Sequence, residues 1–297
     1  MSELLGGVET GGTWCVCAIG TGPDELVARE QFRTSEPEET IARIGDFFAA
    51  GPRIAALGVG SFGPVDPDPE SSTWGYVTTT PKPGWQQTPI APRLRARLDV
   101  PVVFDNDVNA AAVGEHRWGA GDGIASLCYL TVGTGIGAGL LIGGRPWHGL
   151  VHPEVGHIRI PHDRARDPFD GICPVHGDCW EGLAAGGAIA QRWEADPREL
   201  PDGHAAWELE TEYLALGILS IVLVASPERL IVGGGVMERA GLLAALRRRL
   251  PELLDGYLQT PLLAERIDEY LVAPELGDSA GVLGAIALAG DASAART

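Results

Sequence analysis

The 297-residue chain alternates short apolar runs with glycine-rich turns, and the alternation occurs twice. The stretch "LLGGVETGGTWCVCAIGTG" (4–22) reads as a strand, a tight turn and a second strand. In "ETIARIGDFFAA" (39–50) the apolar residues recur at helical spacing, and the acids of "EPEET" (36–40) suit the first turn of that helix. "IAALGVGSFGPVD" (54–66) predicts a buried strand running into a loop. "VPVVFDNDVNAAAVGEHRWG" (100–119) predicts a strand, a carboxylate-bearing turn and a helix.

After Gly119 the pattern restarts. "ASLCYLTVGTGIGAGLLIGG" (125–144) is again strand, glycine/threonine turn and strand. "TEYLALGILSIVLVAS" (211–226) predicts a long apolar helix, and "ERLIVGGGVM" (228–237) a strand entering a triple-glycine loop. The two hairpins imply two related α/β halves joined near residues 118–124, hence domains 1–118 and 119–297. The length agrees with about two domains. Paired halves of this kind leave a cleft, where ligands commonly sit.

Charge narrows the partners. A formal net charge of −18 disfavours a nucleic-acid backbone or an anionic membrane surface. It leaves room for an anionic ligand, because backbone amides in glycine loops bind phosphate inside an acidic protein. The sequence shows no signal peptide and no apolar run near the roughly 18 residues of a membrane span, so a cytoplasmic protein is expected. Its five cysteines are too sparse for a disulfide scaffold. Cys15, Cys17 and Cys128 lie in apolar strands and read as buried small hydrophobes. Lys82 is the single lysine of the chain, which excludes a P-loop, since that motif needs a lysine after its last glycine.

Three loops follow apolar strands: "TGGT" (10–13), "GTGIG" (133–137) and "GGG" (233–235). Glycine permits close backbone approach, and loop N–H groups with threonine hydroxyls can donate to phosphate oxygens. None carries a dinucleotide fingerprint with its acidic partner, which disfavours a Rossmann dehydrogenase. Asp105, Asn106 and Asp107 end a predicted strand just before a helix. A carboxylate held there can accept a proton from an attacking hydroxyl, and Asp107 is preferred over Asp105 because alternating side chains turn one of them inward. Helix capping is the competing role for these residues. Glu154, His157 and Glu181 are further candidates, for hydrogen bonds to vicinal sugar hydroxyls or as ordinary surface groups.

"GICPVHGDCWEG" (171–182) spaces its ligand-type residues as C-x2-H-x2-C, sixteen residues after His157. His157, Cys173, His176 and Cys179 make a Cys2His2 set that suits tetrahedral zinc, with His148, His152 and His162 as nearby alternative ligands. Four protein ligands leave no position for water, so such a zinc is structural.

The set "ETGGT", "GSFGPVD", "TTPKPGW", "DNDVNAAAVGE", "TVGTGIGAG", "HPEVGH", "CPVHGDCWEG" and "IVGGGV" resembles the ROK family of bacterial sugar kinases, especially its zinc-containing fructokinases. The resemblance runs in order from about residue 4 to about residue 290. It implies a duplicated actin-like (ribonuclease H-like) α/β fold with a small zinc-bound loop insertion, the last helix packing back on the N-terminal domain. The implied activity is ATP-dependent phosphorylation of D-fructose to D-fructose 6-phosphate, with glucose, mannose or N-acetylhexosamine as alternative substrates. Asp107 is the implied base. Asn106, Glu154, His157 and Glu181 surround the sugar in that scheme, with Gly63, Pro64, Lys82 and Trp85 nearby. Gly11, Gly12, Thr13, Thr134 and Gly135 hold phosphates; Gly187, Gly233, Gly234, Gly235 and Val236 complete the ATP site. Mg²⁺ accompanies ATP, and a homodimer is expected. A sugar-responsive repressor, the alternative of another class, needs an N-terminal helix-turn-helix of roughly sixty residues, and here the first glycine loop begins at Thr10. Two departures stand out: Glu9 replaces the common Asp, and Trp14 stands where the family usually has lysine.

Overall fold

The computed structural model describes residues 3–294. The predicted hairpin forms from β1 (Leu5–Thr10) and β2 (Trp14–Gly20), antiparallel in register Thr10↔Cys15, and is extended by β3 (Leu26–Arg33). Helix α1 (Pro37–Ala50) starts with proline at its first position and buries Ile41, Ile44 and Phe48 on one face. Strand β4 (Leu57–Ser61), helix α2 (Ile90–Leu98) and strand β5 (Val102–Asn106) follow, then α3 (Asp107–Trp118). The first sheet has the order β3-β2-β1-β4-β5, with β1, β4 and β5 parallel.

The second half repeats the arrangement. It begins with β6 (Leu127–Val132), β7 (Ile136–Ile142) and the short β8 (Arg145–Pro146). Helices α4 (Trp180–Ala184), α5 (Gly186–Trp193) and α6 (Ala205–Ala225) lead to β9 (Arg229–Gly233) and α7 (Leu242–Leu254). The short α8 (Pro261–Ala264) and α9 (Ile267–Tyr270), strand β10 (Leu271–Val272) and α10 (Ala280–Ala294) complete the chain. The second sheet, read β8-β7-β6-β9-β10, has the order of the first, and β9 and β10 are again parallel to β6 and β9. That matching order is the duplication the two hairpins predict. No helix among the described residues is long and apolar enough to cross a membrane.

Each face of the first sheet has its own core. Val8, Cys15, Cys17 and Ile19 pack with Ile41, Ile44, Phe48, Ile90 and Leu94, whereas Val16 and Ala18 pack against Val282, Leu283 and Ile286 of α10. Cys15, Cys17 and Cys128 are buried free thiols, as their apolar surroundings predict. Among the described residues two compact units result, one of residues 3–123, 139–153 and 275–294 and one of residues 124–138 and 154–274. The sequence reading divides the chain near residue 118 and has the last helix packing back on the first domain; the units are interleaved along the chain, with α10 against the first sheet.

Glycine makes that return possible. A Cβ at Gly284 of α10 would overlap the Ala110 carbonyl oxygen of α3, and one at Gly58 of β4 would overlap the Ala285 carbonyl. Gly284→Ala is therefore expected to cost about 1–3 kcal/mol through overpacking, seen as a lower midpoint in thermal unfolding.

Candidate functional site

In the first unit, the end of β5 delivers three polar residues in succession. Asn106, not Asp107, caps α3: its Oδ1 accepts from the Asn109 amide at 2.7 Å. Asp105 is buried, and its Oδ1 accepts from the Asn106 amide and the Asn109 side chain, each at 2.8 Å. Both Asp105 oxygens lie 3.0–3.1 Å from His148 Nε2, and this pairing raises the His148 pKa. Asp107 is left as the carboxylate not consumed by side-chain partners. Its Oδ1 accepts from the Val108 amide at 2.9 Å, and removal from water lifts its pKa to about 6 against that backbone bond.

Glu9 shares this end of the sheet. Its carboxyl fills the space beside Gly281 in the first turn of α10, where a Cβ would overlap it. Its Oε2 is buried without a hydrogen-bond partner. Burial first, and then the charge of Asp107, raise the Glu9 pKa to about 8. Two oxygen donors in one place, one of them unpaired, suit a hard divalent cation.

The first glycine loop begins one residue after Glu9. Gly11 N–H donates to Trp14 O at 2.8 Å, Thr34 Oγ1 donates to Gly11 O at 2.8 Å and Thr34 N–H to Thr13 O at 3.0 Å. At Gly12 a Cβ would meet nothing within 4 Å, so the backbone there is open. Lys82 Nζ donates to Gly12 O at 2.7 Å. The Gly63–Pro64 peptide is cis, and Gly63 lies against the His152 ring, whose Nε2 accepts from Val65 N at 3.0 Å. Trp85, expected beside the sugar, is fully buried instead. Its ring packs edge-on to Phe62 at 5.0 Å and its indole N–H donates to Ser35 O at 2.9 Å, so it anchors the loop that carries Lys82 and has no face left for a ligand.

In the second unit the other glycine motifs come together. The 133–137 loop closes through Gly133 N–H to Gly135 O at 2.9 Å, with Thr134 at its tip. Gly186 N–H donates to Gly133 O at 2.8 Å, bringing the start of α5, with Gly187, to this loop. A Cβ on Gly186 would lie 3.4 Å from Val236 Cγ2. Gly234, at φ +93°, passes so close to Val132 that no side chain fits, and Gly233 and Gly235 flank it. Glu181, expected at the sugar, reaches the same loop: its Oε2 accepts from Ile136 N at 3.0 Å, and a Cβ at Gly135 would sit 2.5 Å away from that oxygen. Glu154 precedes a 3₁₀ turn, Val155–His157, whose last residue donates its N–H back to Glu154 O at 3.1 Å.

That turn opens a cluster of cysteines and histidines. The ligand atoms of His157, Cys173, His176 and Cys179 all lie within 4.8 Å of one another. Cys173 Sγ is 3.7 Å from both His157 Nδ1 and His176 Nδ1, and Cys179 Sγ is 3.6 Å from His157 Nδ1. Tetrahedral zinc with ordinary Zn–S and Zn–N bonds separates S from N by about 3.6 Å, so the cluster is compatible with zinc. Gly177, at φ +64°, lets the turn close, with Gly177 N–H donating to Cys173 O at 2.9 Å. Cys179 then stands at the N-cap of α4, two residues before Glu181.

The ligand-type residues were legible from their spacing, but the His148–Asp105–Asn109 group was not. Its one sequence signal is Asn109 four residues after Asp105, and His148 arrives 43 residues after Asp105.

Several known proteins resemble this chain along nearly its whole length. A fructokinase of Zymomonas mobilis is 42% identical over 298 residues, covering 97% of this chain and 96% of its own. The ROK hexokinase of Thermus thermophilus superposes with TM-score 0.79 at 29% identity, covering 98% of this chain and 99% of that one. A ROK family glucokinase from Streptomyces griseus, in complex with glucose and AMPPNP, gives TM-score 0.77 at 28% identity, covering 97% and 99%. The ROK family profile matches residues 5–292, and with the duplicated sheet order and its glycine loops the chain belongs to the ROK family.

Proposed function

We propose that this chain is an ATP-dependent hexose kinase that converts D-fructose to D-fructose 6-phosphate. The observation that carries the reading is Asp107, held at the start of α3 beside Glu9 and the first glycine loop, in a chain 42% identical along nearly its whole length to a fructokinase. Asp107 accepts the proton of the sugar hydroxyl as its oxygen attacks the γ-phosphorus, and ADP leaves. A base whose pKa lies near 6 is ionised at neutral pH yet basic enough to take that proton. Asn106, Glu154, His157 and Glu181 hold the sugar, with Gly63 and Pro64 lining it; backbone amides of Gly12, Thr13, Thr134 and Gly135 receive the phosphates, and Gly11, its own N–H held by Trp14 O, keeps the first loop open to them. Gly187 and Gly233 to Val236 take the nucleoside side. Glu9, with its buried and unpartnered Oε2, is the donor that would fit the Mg²⁺ accompanying ATP, which neutralises charge on the phosphates.

The Cys2His2 cluster holds a structural zinc in this reading. With all four positions filled by protein, the metal fixes the 171–182 turn and has no open position for chemistry. The expected homodimer belongs to the same reading, and light scattering on the purified protein tests it.

An ADP-release assay across fructose, glucose, mannose and N-acetylglucosamine tests the substrate. Fructose is expected to give the highest kcat/KM. A higher value for glucose would move the chain toward the glucokinase side of its family, and no turnover of any hexose would remove the kinase reading.

A further inference from the structure

We propose that Lys82 is the cation that receives the nucleotide's phosphates, with its ammonium braced on the first glycine loop rather than on the sugar. The inference rests on the reading of the chain as an ATP-dependent kinase.

Lys82 Nζ is 2.7 Å from the Gly12 carbonyl oxygen, a contact made across 70 residues of sequence. One hydrogen bond uses one of three ammonium protons and leaves two for oxygens of a ligand. The neighbouring backbone is open, since nothing lies within 4 Å of a Cβ placed at Gly12. The side chain also springs from a built support. Trp85 is fully buried with its N–H on Ser35 O, and Gln86 Nε2 donates to Thr80 O at 2.8 Å. Lys82 N–H donates to Thr80 Oγ1 at 3.3 Å, and Trp85 N–H to Lys82 O at 3.3 Å. A loop pinned this way delivers the ammonium to a fixed place.

Charge supplies the need. Glu9 and Asp107 stand at the end of the sheet from which the loop springs, in a chain of net charge −18. A polyphosphate entering there requires a compensating cation. Trp14, the residue that follows the loop, offers none, and Arg33 stacks over the Trp14 ring with its guanidinium carbon 4.7 Å from the centroid. Lys82 is the cation bonded to the loop itself. Its identity as the chain's one lysine suits the task, because an ammonium is a compact point charge whereas an arginine fork is planar and wider.

The test compares Lys82→Gln, Lys82→Arg and Arg33→Gln in the full-length protein. Lys82→Gln is expected to weaken ADP binding by calorimetry and to lower kcat/KM for ATP, each about 10- to 100-fold, the size of a lost charge-assisted hydrogen bond. The fructose Kd, measured without nucleotide, stays within about twofold, and the thermal midpoint within about 2 °C. Lys82→Arg recovers part of the loss. Weakened fructose binding with unchanged ADP binding would return Lys82 to the sugar and overturn the proposal. A lowered midpoint with both affinities intact would make it a mere loop staple, and loss of ADP binding in Arg33→Gln but not in Lys82→Gln would move the role to Arg33. If the wild-type protein phosphorylates no hexose, it is the kinase reading that fails, and ADP calorimetry still decides the assignment of Lys82.

Discussion

Asp107→Asn is expected to lower kcat about 10²- to 10⁴-fold, the usual contribution of a positioned general base, while the fructose Kd changes little. The amide keeps the shape and can still accept from the Val108 amide through its oxygen. It cannot take a proton. Because burial raises the Asp107 pKa from its ordinary range to about 6, the wild-type rate should fall as pH drops below about 6. Stability follows the opposite sense. A carboxyl with a raised folded pKa binds more protons folded than unfolded between roughly pH 4 and 6, so the fold loses stability as pH rises through that window. Asp107→Asn removes the cost, and its thermal midpoint at pH 7 should equal or exceed the wild-type value. Near-normal turnover in the variant, or a flat rate profile down to pH 5, would remove Asp107 as the base.

Loss of the metal is expected to have the second-largest effect. Elemental analysis of protein prepared without chelator should find about one zinc per chain, and Cys179→Ser should abolish it. A metal present at about 1,000 times its Kd contributes about 4 kcal/mol, which at this chain size corresponds to a fall of roughly 10 °C in the unfolding midpoint. The damage should be uneven. Asp167 is buried and held by Arg192 Nε at 3.2 Å and Tyr213 Oη at 2.7 Å, and its carbonyl lies 2.9 Å from His162 Nε2. Asp178 adds ion pairs to Arg159 and Arg164, and hydrogen bonds from His162 and Arg164 hold its pKa down to about 2 despite its small desolvation. Hydrogen exchange should therefore accelerate first in the 171–179 turn, with residues around Asp167 protected longer. Since Cys179 starts α4 and Glu181 follows in its first turn, the KM for fructose should rise with metal loss. Protein that carries no zinc, with an unaltered midpoint in Cys179→Ser, would end the assignment.

Several features of the chain are set by short-range pattern alone. The hairpins 4–22 and 125–144, the strand–turn–helix at 100–119 and the C-x2-H-x2-C box are determined within a few residues of chain. Apolar periodicity selects the strand or helix, glycine permits the tight turn, and short spacing keeps potential ligands together. The duplication was legible for that reason, and Asp107 was preferred over Asp105 by strand alternation.

Other features arise where distant segments meet, and there sequence had no local signal. Glycines 58, 114 and 284 look alike in the sequence, yet they are the positions at which α10 comes within backbone distance of β4 and α3. That packing draws residues 275–294 into the first unit and sets Gly281 against Glu9. The high Glu9 pKa follows from burial there and from Asp107, 98 positions away in sequence. The family resemblance put Trp85 near the sugar, but its indole, edge-on to Phe62, is fully buried. By itself, then, the sequence determined the repeated elements, the family resemblance and the clustering of cysteines and histidines in the C-x2-H-x2-C box, because each is written in short-range pattern. Tertiary structure alone decided which glycine is a contact, which carboxyl is shielded and which loop the single lysine touches, because those depend on how sheets and helices pack over long separations.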